Sequence, residues 1–337
     1  MVNRMHVSFK ASDRSYFAIL KKEVHQLAVS ANFSERKVGE IDIVVAEMVS
    51  NLVKHGGGGN LLVKLVEQNG IQGIELVSVD NGPGMTDVSR MVADGVSTKN
   101  SLGQGLGAMK RLSQIFQVYS QKDWGTVILC RIFDQELPHF AKADKQEIKT
   151  AIIPKPNETA CGDGFASVVS DKEIRLFLGD GLGHGPEAAN AVLAAINAFQ
   201  ECTEKSSVET IRYIDSKVKK TRGLVGTVAI YNREAKLWNI CGVGNILTKI
   251  NSHAGSSTYV SYNGIIGLNI PRSLNEKEFA YEQGQYLVMC SDGLKSRWDI
   301  KYPAILRYDL TVLATALLKD FARHTDDMSV AVCKVNH

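Results

Sequence analysis

Apolar residues recur at helical spacing between residues 13 and 30 (Phe17, Leu20, Val24, Leu27) and again between 35 and 55 (Val38, Ile41, Val45, Met48, Leu52). The run Gly56 to Gly59 stops the second helix. Two strands are expected at 61–67 and 74–79, with a turn at Asn69-Gly70 between them. A glycine-rich stretch from Asp80 to Gly107 leads into a helix at 108–116, and strands near 117–120 and 125–132 close this part. The next stretch, about 134–149, is charged and contains Pro138, which reads as a linker. Beyond it the texture changes. Short β-rich runs at 166–170, 174–179, 226–231, 236–240, 247–250, 258–262, 286–290 and 329–335 are interrupted by two helices, at 186–201 and 207–219. The pattern predicts an α+β chain of two domains, residues 1–135 and 150–337, joined by 136–149.

Bulk properties narrow the picture without deciding it. A chain of 337 residues is long for one core. With 44% apolar and 22% charged residues the composition is that of a globular protein. A net charge of +3 points to no nucleic-acid face and no acidic tail, so the expected partners are small molecules and proteins. No apolar run approaches a membrane span and no leader is visible, so a cytoplasmic location is expected. The six cysteines are scattered among apolar neighbours and are expected as buried free thiols in strands.

Three segments of the first part belong together chemically. Glu47 and Asn51 are four residues apart on a helix and share a face. An amide oxygen suits Mg²⁺, and a carboxylate beside it can take a hydroxyl proton. Asp80-Asn81-Gly82-Pro83-Gly84 ends a strand, where Asp80 can accept a hydrogen bond from the adenine amine. Gly103-Gln104-Gly105-Leu106-Gly107 opens a helix, whose free N–H groups form a phosphate cradle. Each segment alone has an ordinary reading as a polar stripe or a turn; the ordered trio is far more specific. It resembles the N, G1 and G2 boxes of the GHKL ATPase superfamily, closest to the anti-sigma-factor serine kinases, over about residues 1–133. The resemblance implies a Bergerat-type α/β sandwich, ATP with Mg²⁺ held by Asn51, adenine held by Asp80, and Glu47 as the base acting on a serine hydroxyl. Gly82, Gly84, Gly103, Gln104, Gly105, Leu106 and Gly107 would complete the nucleotide site.

The second part places acids where strands end: Asp163, Asp180, Asp292, Asp326 and Asp327, each beside a glycine, a hydroxyl residue or another acid. Asp-Gly pairs make hairpins anywhere. Several carboxylates in one place, however, repel unless a cation neutralises them, and all-oxygen ligands favour Mg²⁺ or Mn²⁺. Two ions bridged by Asp180 could activate a water and clamp a phosphoryl group. Gly162-Asp163, Asp180-Gly181-Leu182-Gly183-His184-Gly185, Gly242-Val243-Gly244-Asn245, Ser291-Asp292-Gly293 and Asp326-Asp327-Met328-Ser329 resemble the SpoIIE/RsbX branch of the PPM-type metal-dependent serine/threonine phosphatases, from about 150 onward. The resemblance implies an α/β/β/α sandwich with Asp180 as bridging ligand beside the Gly181 carbonyl. Asp292 and Asp326 would be further direct ligands, with Asp326 preferred over Asp327, and Asp163 would act through water. Where larger relatives carry a histidine two residues after the bridging acid, this chain has Leu182; His184 lies two further on, either structural or catalytic. No phosphate-binding arginine stands out early in the domain.

Both halves resemble enzymes that act on STAS-type anti-sigma antagonists in partner-switching pathways. The expectation is a kinase and phosphatase acting on one such partner, within reach of a sigma factor or a stressosome-like complex, with no role for nucleic acid or membrane. Two alternatives stand beside it: a phosphatase governed by a non-catalytic ATP-binding domain, and a non-catalytic switch that binds a sigma factor or STAS protein.

Overall fold

The computed structural model describes residues 5–11, 15–92, 105–138, 145–252 and 255–336. The first part contains β1 (Val7–Lys10), α1 (Ser15–Ser30), α2 (Glu35–Lys54), β2 (Asn60–Gln68), β3 (Ile71–Val79), α3 (Val88–Val92), α4 (Gly105–Leu112), β4 (Ile115–Gln121) and β5 (Gly125–Phe133). The strands form one antiparallel sheet in the order β1-β2-β3-β5-β4. Asn69 and Gly70 both adopt positive φ, 54° and 76°, so β2 and β3 are joined by the mirror-image two-residue turn that matches strand twist. One face of the sheet receives the helices: Val45, Met48 and Leu52 of α2, Val24 of α1 and Met109 of α4 join Leu61, Val63, Ile74, Leu76, Ile128 and Cys130 in one core. The helix expected at 108–116 begins earlier, at Gly105. It ends at Leu112 because Phe116 pairs with Cys130 as part of β4.

The same sheet carries a buried polar cluster centred on Glu75, which is 1% exposed. Strand register sets Lys64 and Arg131 on either side of it. Glu75 Oε2 accepts from Arg131 Nε at 2.6 Å, Oε1 lies 3.1 Å from Lys64 Nζ, and His6 Nε2 lies 3.2 Å from Oε1. Burial alone would raise the Glu75 carboxyl, but Lys64, Arg131 and His6 hold it well below the usual carboxylate value. Arg131 also donates through Nη1 and Nη2 to the two oxygens of Asp309, at 2.6 and 2.8 Å, and to Thr311 Oγ1 at 2.8 Å. Tyr308 packs edge-on against Tyr119. The compact unit built on this sheet therefore comprises His6–Lys142 together with Tyr302–Ala316, a segment from far along the chain.

The other unit comprises mainly Ala143–Lys301 and Leu317–His337. Its elements, in chain order, are β6 (Gln146–Ile153), β7 (Asp163–Val169), β8 (Glu173–Gly181), α5 (Pro186–Glu201), α6 (Ser207–Val218), β9 (Leu224–Asn232), β10 (Leu237–Val243), β11 (Leu247–Ser252), β12 (Gly255–Tyr259), β13 (Lys277–Ala280), β14 (Tyr286–Cys290) and β15 (Met328–Val335), while α7 (Leu310–Phe321) is divided, its residues to Ala316 belonging to the unit above and the rest to this one. Two five-stranded antiparallel sheets, β13-β10-β9-β8-β7 and β12-β11-β14-β15-β6, enclose a core that includes Phe165, Leu176, Leu178, Ile240, Leu287, Met289 and Ala331. On the outer face of the first sheet, Val192, Ile196 and Phe199 of α5 and Ile211 and Ile214 of α6 cover Phe177 and Val228. The chain is thus α+β, an α/β sandwich followed by a β-sandwich flanked by helices.

Some elements depart from the pattern reading. β6 begins at Gln146, inside the charged stretch 134–149, and pairs with β15 along its whole length. α7 departs from the pattern reading: its positions from Leu310 to Leu318 are all buried, Thr311 and Thr315 included, so no exposed stripe marks a helical period. β12 lies upstream of the expected 258–262, and Val260 is 79% exposed. All six cysteines are free and buried. Four lie in strands; Cys161 is in a loop and Cys202 caps α5. Burial pushes the Cys130, Cys241 and Cys333 thiols up to about 12, so they stay protonated. Among the described residues no helix is long and apolar enough to cross a membrane.

Candidate functional site

α2 organises the first candidate site. Its length and single apolar face bury Val45, Met48 and Leu52 and leave Glu47 and Asn51 only partly buried on the side toward α4. The start of α4 comes close to both: a Cβ added at Gly105 would fall 2.7 Å from Glu47 Oε2 and 3.9 Å from Asn51 Oδ1. Leu106 and Gly107 are buried in α4, Leu106 within the core, so only their backbone can face a ligand. Gly103 and Gln104 lie outside the described residues.

The Asp80 loop meets the C-terminal end of the same helix. A Cβ on Gly56 would sit 2.7 Å from Asp80 Cβ. Asp80 Oδ1 accepts from the backbone N–H of Gly82 at 2.8 Å and of Thr126 at 3.2 Å, which fixes the carboxylate. Gly82 lies against the His55 carbonyl, and Gly84 has a φ of +71°, where only glycine is at ease. Ser120 Oγ accepts from Met85 N–H at 2.8 Å and pins the loop from β4. Thr126 and Ser120 carry no local signal of this role; strand register brings them here.

The second candidate site lies at one end of the β-sandwich. Asp163 opens β7 and Asp180 closes β8, and the two are register partners. Asp163 is 5% exposed. Its Oδ2 accepts from Ser291 Oγ at 2.6 Å, while Oδ1 is buried with no hydrogen-bond partner. Asp292, next to Ser291, accepts from Asn245 Nδ2 at 2.8 Å. Asp327 is committed to the backbone: its two oxygens accept from Lys155 and Gly162 N–H, each at 2.8 Å. Asp326 Oδ1 accepts only a neighbouring N–H, that of Asp327 at 2.9 Å. Burial, then the charges of Asp163, Asp292, Asp326 and Asp327, push the Asp180 carboxyl up to about 10. Burial pushes Asp163 up to about 7, against the Ser291 hydrogen bond. Among the described residues no three His, Cys, Asp or Glu side chains are drawn into a finished metal cage. The carboxylates are nevertheless near enough to repel, and the orphaned Asp163 oxygen and the all-oxygen donor set fit a hard divalent cation.

Loop 182–185 follows Gly181, which rests on Ala188 of α5. His184 Nδ1 lies 2.9 Å from Glu158 Oε1 at the surface. Arg222, just before β9, places Nε 2.7 Å from Glu187 Oε2.

Comparison with known proteins finds relatives for both parts of the chain. Residues 170–336 match the family described as Stage II sporulation protein E (SpoIIE), and residues 10–132 match the histidine kinase-like ATPase domain. The phosphoserine phosphatase RsbX of Bacillus subtilis (strain 168) is 29% identical over 155 residues, covering 45% of this chain and 77% of RsbX. The serine/threonine-protein kinase RsbT of the same organism is 30% identical over 102 residues, covering 30% of this chain and 77% of RsbT. A crystal structure of RsbX in complex with magnesium superposes with a TM-score of 0.50 at 19% identity, over 66% of this chain and all of that one, a likeness of fold. The C-terminal part thus matches the SpoIIE family model, and through its N-terminal part, of the RsbT kind, the chain belongs to the histidine kinase-like ATPase family.

Proposed function

We propose that this chain sets the serine/threonine phosphorylation of a STAS-domain anti-sigma antagonist in a partner-switching pathway, removing phosphate at the Asp180 site and adding it at the Glu47 site. The observation that carries the reading is the mutually repelling carboxylate group around Asp180, which includes the buried Asp163 and Asp327, with one Asp163 oxygen left without a partner. Phosphatase chemistry rests on that site and on the kinship with RsbX and SpoIIE; kinase chemistry rests on Glu47 and Asn51 meeting α4 and on the likeness to RsbT.

In the phosphatase half, Asp180, the Gly181 carbonyl, Asp292 and Asp326 would hold Mg²⁺ or Mn²⁺, two ions in our reading, with Asp163 acting through water. Bound there, such ions supply a water acidic enough to attack at neutral pH and positive charge over the phosphoryl oxygens. Ser291 orients Asp163, Asn245 orients Asp292, and Asp327 ties the ligand loop to Lys155 and Gly162. In the kinase half, Asn51 would hold Mg²⁺, Asp80 would hold adenine and the start of α4 would meet the phosphates, with Glu47 placed to take the proton of an attacking serine.

The test uses the full chain, labelled ATP and a purified STAS protein. Wild type with Mn²⁺ should release phosphate from the phosphorylated partner and stop in chelator. Asp180→Asn should let phosphorylated partner accumulate. Release in chelator overturns the metal reading; no phosphotransfer in Asp180→Asn leaves the N-terminal part a nucleotide-responsive regulator.

A further inference from the structure

We propose that Arg222 receives the phosphoryl group of the substrate and that Glu187 holds it in place until that group arrives. The proposal deepens the phosphatase reading above and rests on it. It starts from the β8–β9 ladder, in which Asp180 faces Val225 and Gly181 faces Leu224. One step further, Leu182 N–H donates to the Gly223 carbonyl at 3.2 Å, so Arg222 comes level with Gly183. It stands three residues along from the partner of Asp180, on the order of 10 Å at strand rise. The side chain does not extend away from the site: Nη1 lies 3.5 Å from the Leu182 carbonyl, over the loop that leaves Gly181. Gly183, with φ +80°, makes room, since a Cβ there would come within 3.1 Å of Nη1.

The partner of Arg222 is placed just as closely. Glu187 precedes Ala188, the residue on which both Gly162 and Gly181 rest, and these glycines neighbour Asp163 and Asp180. The pair is short, yet its members are 47% and 70% exposed. An ion pair between groups so exposed contributes next to nothing to stability and exchanges readily. Its geometry therefore calls for another explanation. A guanidinium binds a phosphate dianion through parallel N–H donors, more strongly than it binds a solvated carboxylate. A phosphoserine approaching a group of carboxylates gains from a fixed cation on the protein in addition to bound metal, and Arg222 lies on the loop beside the site, with Lys219 and Lys220 exposed just before it in sequence. Glu187 keeps the guanidinium aimed at the loop and gives it up to the incoming phosphate.

Steady-state hydrolysis of a phosphoserine protein by the Mn²⁺-loaded full chain, with inorganic phosphate as competing ligand, tests this. Arg222→Ala should raise KM and the phosphate inhibition constant roughly ten- to hundredfold, the loss expected for a hydrogen bond between charged groups. Mn²⁺ affinity by calorimetry should not change. Arg222→Lys should fall between, because it keeps the charge and loses the fork. Glu187→Gln should leave phosphate affinity within a few-fold of wild type, because so exposed a pair is cheap to give up. Unchanged phosphate affinity in Arg222→Ala overturns the proposal, as does a Glu187→Gln variant as impaired as Arg222→Ala, which would make the pair structural. If wild type turns over no phosphoserine substrate, the phosphatase reading falls, while phosphate binding to wild type and Arg222→Ala still decides the role of Arg222.

Discussion

Asp326 and Asp327 are adjacent acids with opposite surroundings, and this separates their expected phenotypes. Asp327 is 3% exposed and accepts two backbone N–H groups, so Asp327→Ala orphans both and should cost about 2–6 kcal/mol, at roughly 1–3 kcal/mol each. Asp326→Asn should leave the thermal midpoint nearly unchanged and weaken Mn²⁺ binding. Calorimetry of both variants decides; equal loss of stability would remove Asp326 as the preferred ligand. At the other site, Glu47→Gln should bind ATP normally and lose phosphotransfer by about 10²–10⁴-fold, measured in an Asp180→Asn background so that product survives. Gly105→Ala should instead weaken ATP binding itself, because the new methyl crowds the phosphate cradle and presses on Glu47 Oε2. The acids and glycines of both sites were legible because each sits in a short motif whose residue types have few uses. Ser291 on Asp163, Thr126 on Asp80 and Arg222 over loop 182–185 were not, since register between distant strands creates those contacts.

Secondary elements were legible where one face alone is buried. α2 shows its stripe because its other side is polar, and the β2–β3 hairpin announces itself through Asn69-Gly70. α7 hides because its exposed positions are too few to mark a period, and β13 because only four residues pair. The loop after β3 makes the sharpest prediction at this scale. Gly84 combines a left-handed φ with a Cβ direction that runs into the Gln121 carbonyl, so backbone must move to admit any side chain. Gly84→Ala should therefore lower the thermal midpoint, at a cost of about 1–3 kcal/mol, and weaken ATP binding together. A variant with wild-type nucleotide affinity would show that this loop does not shape the site.

At the level of the whole molecule, the unit containing the nucleotide-site residues is not a continuous stretch of chain. Tyr302–Ala316 belongs to it, and Asp309 holds Arg131 in a buried pair. Asp309→Asn should cost about 3–5 kcal/mol, read from chemical denaturation of the full chain. A fragment ending at residue 142 should be less stable than the same unit in the intact protein and bind ATP more weakly at equal temperature; equal binding would make the segment dispensable. The pH dependence has a definite sign. The Glu75 carboxyl is depressed in the folded state, so its contribution is complete above the usual value of 4.5 and is lost as pH falls through the lower folded value. Acid unfolding linked to Glu75 should begin below that range, and Glu75→Gln should remove that part of the acid transition. The split composition of this unit also has a consequence for how the protein is made. When residue 142 leaves the ribosome, Arg131 and Glu75 exist without Asp309 and Thr311. At about 5–20 residues per second the missing segment follows roughly 10–35 s later. For that interval the nascent chain displays a charged sheet face that only its own later synthesis can cover.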